Sequence, residues 1–379
     1  MKSIHELLEV AIRQRASDLI LKAGTPPHLR VDGRLISSDL PALTPDDTCE
    51  IAYGIIDSAG RDYLLQYPES SHDALGASLD GAEGRMRELQ SRDELDLVLT
   101  IPGLARVRAN LFLQRGAIGA ALRIIPLHPY TIDELRLPPV LKEMALQPQG
   151  LIVVTGPTGS GKTTTMAAII EEINRGRPCN VFTIEEPVEY VFTDRKSVIH
   201  QREVRSDTRS FAAALRSVTR QSPDVIAIGE MRDTETMDAA MTASEIGHLV
   251  ITTLHTVSAA ATVDRIVNSF PRHLKHQVSA QLAASLLCVT SQRLIERAAG
   301  PGRLPAVEVM TNSPRVRKQI EEGETGELYA SIREGQHFGM NTMNQALERL
   351  IQSRKVALGP AMQFAGNPAE LKQMLRGAG

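Results

Sequence analysis

Tryptophan is absent from the 379-residue chain, and aromatic residues make up only 3% of it. The stacking platforms that hold single-stranded nucleic acid are therefore scarce. Cysteine is sparse as well. Cys49, Cys179 and Cys288 lie far apart with no CxxC pair among them, which excludes a tetracysteine zinc site and argues against a disulfide scaffold. No apolar run approaches the ~18 residues of a membrane-spanning helix. The first residues, Met1-Lys2-Ser3-Ile4-His5-Glu6, lack the apolar core of a secretion signal. Nor does one sign of charge dominate: 42 Lys and Arg against 45 Asp and Glu leave a net charge of −3. That balance argues against bulk electrostatic capture of nucleic acid or of an anionic membrane. Together these absences predict a reduced, cytoplasmic protein with no nucleic-acid partner.

What remains is an ordinary globular composition, 42% hydrophobic and 23% charged, in a chain long enough for two domains. Ile4, Leu7, Leu8 and Ile12 recur at helical spacing behind a Ser3/Glu6 capping box. A strand is predicted at Asp18–Lys22, two short strands around the Asp32-Gly33 turn, and a second helix from Thr44-Pro45. Residues 69–93 hold several glycines and charges but few large apolar side chains, and read as a flexible, solvated insertion. Alternating apolar residues between Leu95 and Ile125 predict further strands, and four prolines between Pro126 and Pro139 predict a linker. Beyond Gly150, short apolar runs at Leu151–Thr155, Val181–Ile184, Val225–Ile228 and Leu249–Thr253 alternate with helical stretches. That is the pattern of a mainly parallel α/β sheet. The segment from Pro314 onward reads as helical.

Gly156-Pro157-Thr158-Gly159-Ser160-Gly161-Lys162-Thr163 matches GxxxxGK[ST] in full, between an apolar strand and a helix that begins near Thr164. Backbone N–H groups of such a loop wrap around phosphate oxygens, and the helix N-terminus adds positive potential at the same place. Lys162 is placed to reach the β- and γ-phosphates and the Thr163 hydroxyl to ligate Mg²⁺, which predicts an ATP site. A loop with three carboxylates, Glu185, Glu186 and Glu189, follows the next strand. Any of the three suits the positioning of an attacking water, and the residues alone do not choose between them. The next strand ends in Gly229-Glu230-Met231-Arg232-Asp233, where Glu230 stands at the place of a Mg²⁺-side acid. His248 and His255 bracket the strand after that. Arginines cluster unevenly, and Arg106, Arg108, Arg123, Arg216 and Arg220 are candidates for delivery to a neighbouring subunit's γ-phosphate.

These elements in this order resemble the secretion ATPases, and among them the type IV pilus retraction ATPases (the PilT/PilU family). The matching residues include Ala16-Ser17-Asp18-Leu19, Arg30-Val31-Asp32-Gly33, Gln201-Arg202-Glu203-Val204, Gly229 to Asp233, and Gly247-His248 through His255-Thr256. The resemblance implies a PAS-like α+β domain over residues 1–126, a linker over 127–138 and a RecA-like ATPase core with C-terminal helices over 139–379. It implies a homo-hexamer that uses ATP and Mg²⁺. It further implies a cytoplasmic ring peripheral to the inner membrane, with an inner-membrane pilus platform protein and a paralogous pilus ATPase as partners. Glu189 falls on the catalytic base, Glu230 on the Mg²⁺-side acid, and His248 and His255 on the paired histidines. The residues depart from the family pattern at Ile20, at Glu186, and at Arg315 and Gln319 of a segment associated with retraction. The last departure keeps open an accessory, weakly hydrolysing ring subunit. A pilus-extension or type II secretion ATPase is the other alternative, although those relatives generally carry the tetracysteine module that this chain lacks.

Overall fold

The computed structural model describes residues 3–66 and 81–377. The chain divides into two compact units, Met1–His128 and Pro129–Gly379.

In the first unit, Ser3 caps α1 (Ile4–Arg13): its hydroxyl accepts from the Glu6 N–H while its own N–H donates to the Glu6 carboxylate at 2.8 Å. Ile4, Leu7, Leu8 and Ala11 form the buried stripe of that helix. Strands β1 (Asp18–Leu21), β2 (His28–Val31) and β3 (Arg34–Ser37) follow. Asp32 and Gly33 both take positive φ, 51° and 88°, as a two-residue hairpin turn requires. Thr44 starts α2 (Pro45–Gln66), exchanging hydrogen bonds with Asp47. Next come α3 (Gly81–Arg92), β4 (Glu94–Ile101), β5 (Ala105–Gln114) and β6 (Ala117–Ile125). The strands form one antiparallel sheet in the order β3-β2-β1-β6-β5-β4.

The insertion predicted as flexible over residues 69–93 is helical from Gly81 to Arg92, and Met86 and Leu89 are buried in the unit's core. So few apolar residues give little periodicity, yet they suffice to anchor one face. Residues 69–80 lie outside the described residues.

The second unit begins with the proline-rich stretch expected as a linker. Thr131 N donates to the Glu134 carboxylate at 2.7 Å, and Ile132 and Leu137 are buried in the core of this unit. Thereafter strands and helices alternate: α4 (Val140–Ala145), β7 (Gly150–Thr155), α5 (Lys162–Gly176), β8 (Asn180–Glu185), β9 (Val198–Glu203), α6 (Phe211–Val218) and β10 (Val225–Ile228). They continue with α7 (Thr234–Glu245), β11 (Leu249–Leu254), α8 (Ala259–Asn268), α9 (Lys275–Ser285), β12 (Leu286–Glu296) and β13 (Arg303–Thr311). Helices α10 (Pro314–Glu322), α11 (Leu328–Glu334), α12 (Met343–Gln352), α13 (Leu358–Met362) and α14 (Pro368–Gly377) complete the unit.

The seven-stranded sheet runs β13-β12-β7-β11-β10-β8-β9, parallel except for the β12–β13 pair. Numbered along the chain, β7, β8, β10, β11 and β12 stand in the RecA-like order 5-1-4-3-2. Strands β7, β10 and β11 are buried throughout, as expected of strands covered on both faces. No described helix is long and apolar enough to cross a membrane.

Candidate active site

Ligands of open parallel sheets collect at the carboxyl ends of the strands. There β7 turns through residues 156–161 into α5, with Gly156 at φ 145° and Gly161 at φ 88°. Space as well as φ demands glycine at both. A Cβ on Gly156 would lie 2.5 Å from Ser160 Oγ and 2.6 Å from the Gln292 carbonyl oxygen, and one on Gly161 would lie 2.8 Å from Gln292 Nε2. Pro157, Thr158 and Gly159 form the exposed tip, whereas Ser160 is buried and its hydroxyl has no hydrogen-bond partner within the chain. A glycine cradle with a buried, unbonded hydroxyl suits a ligand rich in acceptor oxygens.

Lys162 opens α5. Its ammonium donates to the carbonyls of Gly156 at 3.0 Å and Pro157 at 3.1 Å and approaches His255 Nδ1 at 3.2 Å. On the far side of the imidazole, His255 Nε2 lies 3.1 Å from Glu230 Oε1. An ammonium only donates, so Nδ1 accepts and Nε2 donates to Glu230. The result is a continuous chain Lys162–His255–Glu230 spanning β7, β11 and β10. Burial pushes the Lys162 ammonium down from its usual range, an effect opposed by the Glu230 charge. The other Glu230 oxygen accepts from Arg232 Nε at 2.9 Å. Thr163 follows half-buried in the first turn of α5, and the Thr164 hydroxyl meets Tyr190 OH at 3.1 Å.

The three carboxylates after β8 have different surroundings. Glu185 is fully buried, accepting from Thr183 Oγ1 at 2.7 Å and Gln201 Nε2 at 3.3 Å. Burial, with the Glu189 charge nearby, pushes its carboxyl up to about 7 against the pull of those donors. Glu186 is paired with Arg205 at 2.9 Å. Glu189 is half-buried in the stretch that follows.

His248 is not brought to this site. It precedes β11, whereas His255 follows it. Six residues at about 3.3 Å each separate the strand's ends by about 20 Å, placing His248 at the amino end of the parallel strands, opposite the carboxyl end that carries Lys162. Of the candidate trans arginines, Arg106, Arg108 and Arg123 belong to the first unit's sheet. Arg106 is buried and donates to Thr100 Oγ1 at 3.3 Å, Arg108 stands opposite Arg123, and Arg123 pairs with Asp18 at 3.2 Å. Arg216 forms an ion pair with Glu235, and Arg220 donates to the Arg216 carbonyl at 2.8 Å.

Sequence reasoning missed Gln292, which is buried on β12. Its Nε2 donates to the Ser160 carbonyl at 2.7 Å and its Oε1 accepts from Thr165 at 2.8 Å, tying the phosphate loop to the neighbouring strand. Nothing local marks it, because its role exists only once β12 pairs with β7.

A phosphate loop at the carboxyl end of a RecA-like parallel sheet, with an acid just past β10, two strands along from β7, defines a P-loop NTPase. The chain belongs to the type II/IV secretion system protein family, whose model matches residues 127–356. It is similar to the type IV pilus retraction ATPase PilT of Pseudomonas aeruginosa, 39% identical over 96% of this chain and 98% of that one. It is also similar to a twitching motility protein of Neisseria gonorrhoeae, 41% identical over 80% of this chain and 82% of that protein. Among solved structures, the pilus retraction motor PilT with bound ADP superposes with a TM-score of 0.81 at 39% identity, covering 99% of this chain and all of the other.

Proposed function

We propose that this chain is the ATP-hydrolysing subunit of a motor that powers type IV pilus retraction, and hence twitching motility. The observation that carries the reading is the phosphate loop joined through Lys162–His255–Glu230 across three adjacent strands. The similarity to PilT along nearly the whole chain supplies the biological setting.

Residues 156–164 bind the nucleotide phosphates: backbone N–H groups and the Ser160 hydroxyl supply donors, and Lys162 exchanges the loop carbonyls for phosphate oxygens. Glu189 orients the attacking water and accepts its proton, while Lys162 offsets the charge that develops on the transferring phosphoryl group. His255, bonded to both Lys162 and Glu230, makes the position of one sensitive to the other. The Thr163 hydroxyl and Glu230 are the groups that would hold Mg²⁺, an oxygen-only donor pair suited to a hard cation. When bound, that ion supplies charge neutralisation on the phosphate oxygens.

The ring is a homo-hexamer working against an inner-membrane platform protein, with a PAS-like N-terminal unit carrying the arginines offered to a neighbour. Of those, Arg108 and Arg123 share one sheet face. His248, distant from its own chain's phosphate loop, acts at a subunit boundary.

A second reading, an accessory ring subunit, draws on Arg315 and Gln319. Both substitutions are accommodated within the helical region. Arg315 pairs with Glu334 at 2.9 Å, and the buried Gln319 accepts from Ser331 Oγ at 2.8 Å. The helix α10 is therefore intact, which favours the motor reading. Deleting the gene and imaging surface pili tests it. Retraction requires hyperpiliated cells that have lost twitching; bald cells would assign the chain to extension, and unchanged pili and motility would contradict both.

A further inference from the structure

The segment after Glu185 runs beside β9 but is held to it by side chains. Gln201 Nε2 donates to the Tyr190 carbonyl at 2.7 Å and Gln201 Oε1 accepts from the Phe192 N–H at 2.9 Å. One carboxamide thus makes the paired contacts that a strand's own peptide would make. Two residues further along β9, Glu203 Oε2 accepts from the Val188 N–H at 3.0 Å. Residues 188, 190 and 192 are therefore gripped in alternation, with Glu189 between two of the anchors. Gln201 also reaches Glu185 Oε1 at 3.3 Å, and the Tyr190 hydroxyl meets Thr164 in the first turn of α5. The fixed segment is thereby tied to the first turn of α5 through Tyr190 and, through Gln201, to the buried end of β8.

We propose that Gln201 is a positioning residue for ATP hydrolysis: its carboxamide substitutes for a backbone ladder and fixes the 188–192 segment so that Glu189 is held at a set distance from the phosphate loop. The inference deepens the proposed function and rests on Glu189 being the base. Gln201 touches no group of the phosphate loop directly, so its loss should misplace the base without removing a nucleotide contact. Misplacement of a reacting group by about 1 Å costs up to about 10²-fold in rate.

The test uses the full-length chain with Gln201→Ala, Gln201→Glu and Glu189→Gln. Gln201→Ala is expected to lower kcat by about 10- to 100-fold while KM for ATP stays within about twofold and Tm is largely retained. Gln201→Glu keeps the acceptor for Phe192 but loses the donor to Tyr190 until its carboxyl is protonated. Its kcat relative to wild type is therefore expected to recover as pH falls. Wild-type kcat in Gln201→Ala would overturn the proposal. So would a parallel loss of kcat, ATP binding and Tm combined with a Gln201→Glu ratio that does not vary with pH, the mark of a merely structural residue. Glu189→Gln separates the two levels: if it turns over like wild type, the base assignment itself falls. If it is inactive while Gln201→Ala is unimpaired, only the positioning role falls.

Discussion

Glu185, Glu186 and Glu189 carry the same functional group within one short loop, and their surroundings divide them. Glu185 is enclosed by Thr183 and Gln201, Glu186 is taken up by Arg205, and Glu189 sits between side-chain anchors on β9. The phosphate loop was legible from sequence because its chemistry depends on contiguous residues. The difference in surroundings among the three carboxylates was not, because it depends on which of them the β8–β9 pairing buries. His248 and His255 make the same point: both flank one strand, and only the parallel direction of β11 beside β7 decides which faces Lys162. The Glu185 environment leads to a prediction at this scale. Burial raises its carboxyl from 4.5 to about 7, so between those values the native state keeps a proton that the unfolded chain has lost. The corresponding stability is fully present below the unfolded value and is lost as pH rises through about 7. Glu185→Gln has nothing to ionise there. Its Tm relative to wild type is expected to rise between about pH 5 and about pH 8; a constant difference across that range would show that the fold does not raise the Glu185 carboxyl above its unfolded value.

Elements were legible where their periodicity was strong. The capped α1, the Asp32-Gly33 hairpin and the buried strands of the parallel sheet all follow from local pattern. Helix α3 did not, because Met86 and Leu89 supply its buried contacts among charged neighbours. Leu89 is fully buried, so Leu89→Ala should cost about 2–5 kcal/mol in chemical denaturation, the usual penalty for a truncated core leucine. A loss below about 0.5 kcal/mol, as for a surface position, would mean that α3 does not pack as described. Strands β12 and β13 escaped notice for a different reason: Thr290, Ser291, Gln292 and Glu308 are buried polar residues that interrupt the apolar run. Two of them serve neighbouring elements. Glu308 accepts from the N–H groups of Ala259 and Met343 at the starts of α8 and α12, and Gln292 clasps the phosphate loop. Gln292→Leu leaves the Ser160 carbonyl and the Thr165 hydroxyl without that partner. It should cost about 1–3 kcal/mol of stability and weaken binding of a fluorescent ATP analogue. Unchanged affinity and stability would show that the clasp is dispensable.

For the whole molecule, each of the two units has its own buried core. Cross-strand pairing sets Arg30, Asp18, Arg123 and Arg108 in one line across the first unit's sheet, so three cations share a row with a single carboxylate. Asp18 pairs with both Arg30 and Arg123, and in the ring proposed above this row of arginines would be offered to an anionic site on a neighbouring copy. That organisation was hidden in the sequence, because strand register, not spacing along the chain, lines the residues up.

The most direct test of the account is Mg²⁺-dependent ATP hydrolysis per milligram of protein over a range of concentrations, with Glu189→Gln as the blank. A P-loop motor with Glu189 as base and shared sites should show specific activity that rises with concentration and vanishes in the blank. Activity no higher than the blank at every concentration, despite measurable nucleotide binding, would contradict the motor and leave a nucleotide-binding accessory subunit in its place.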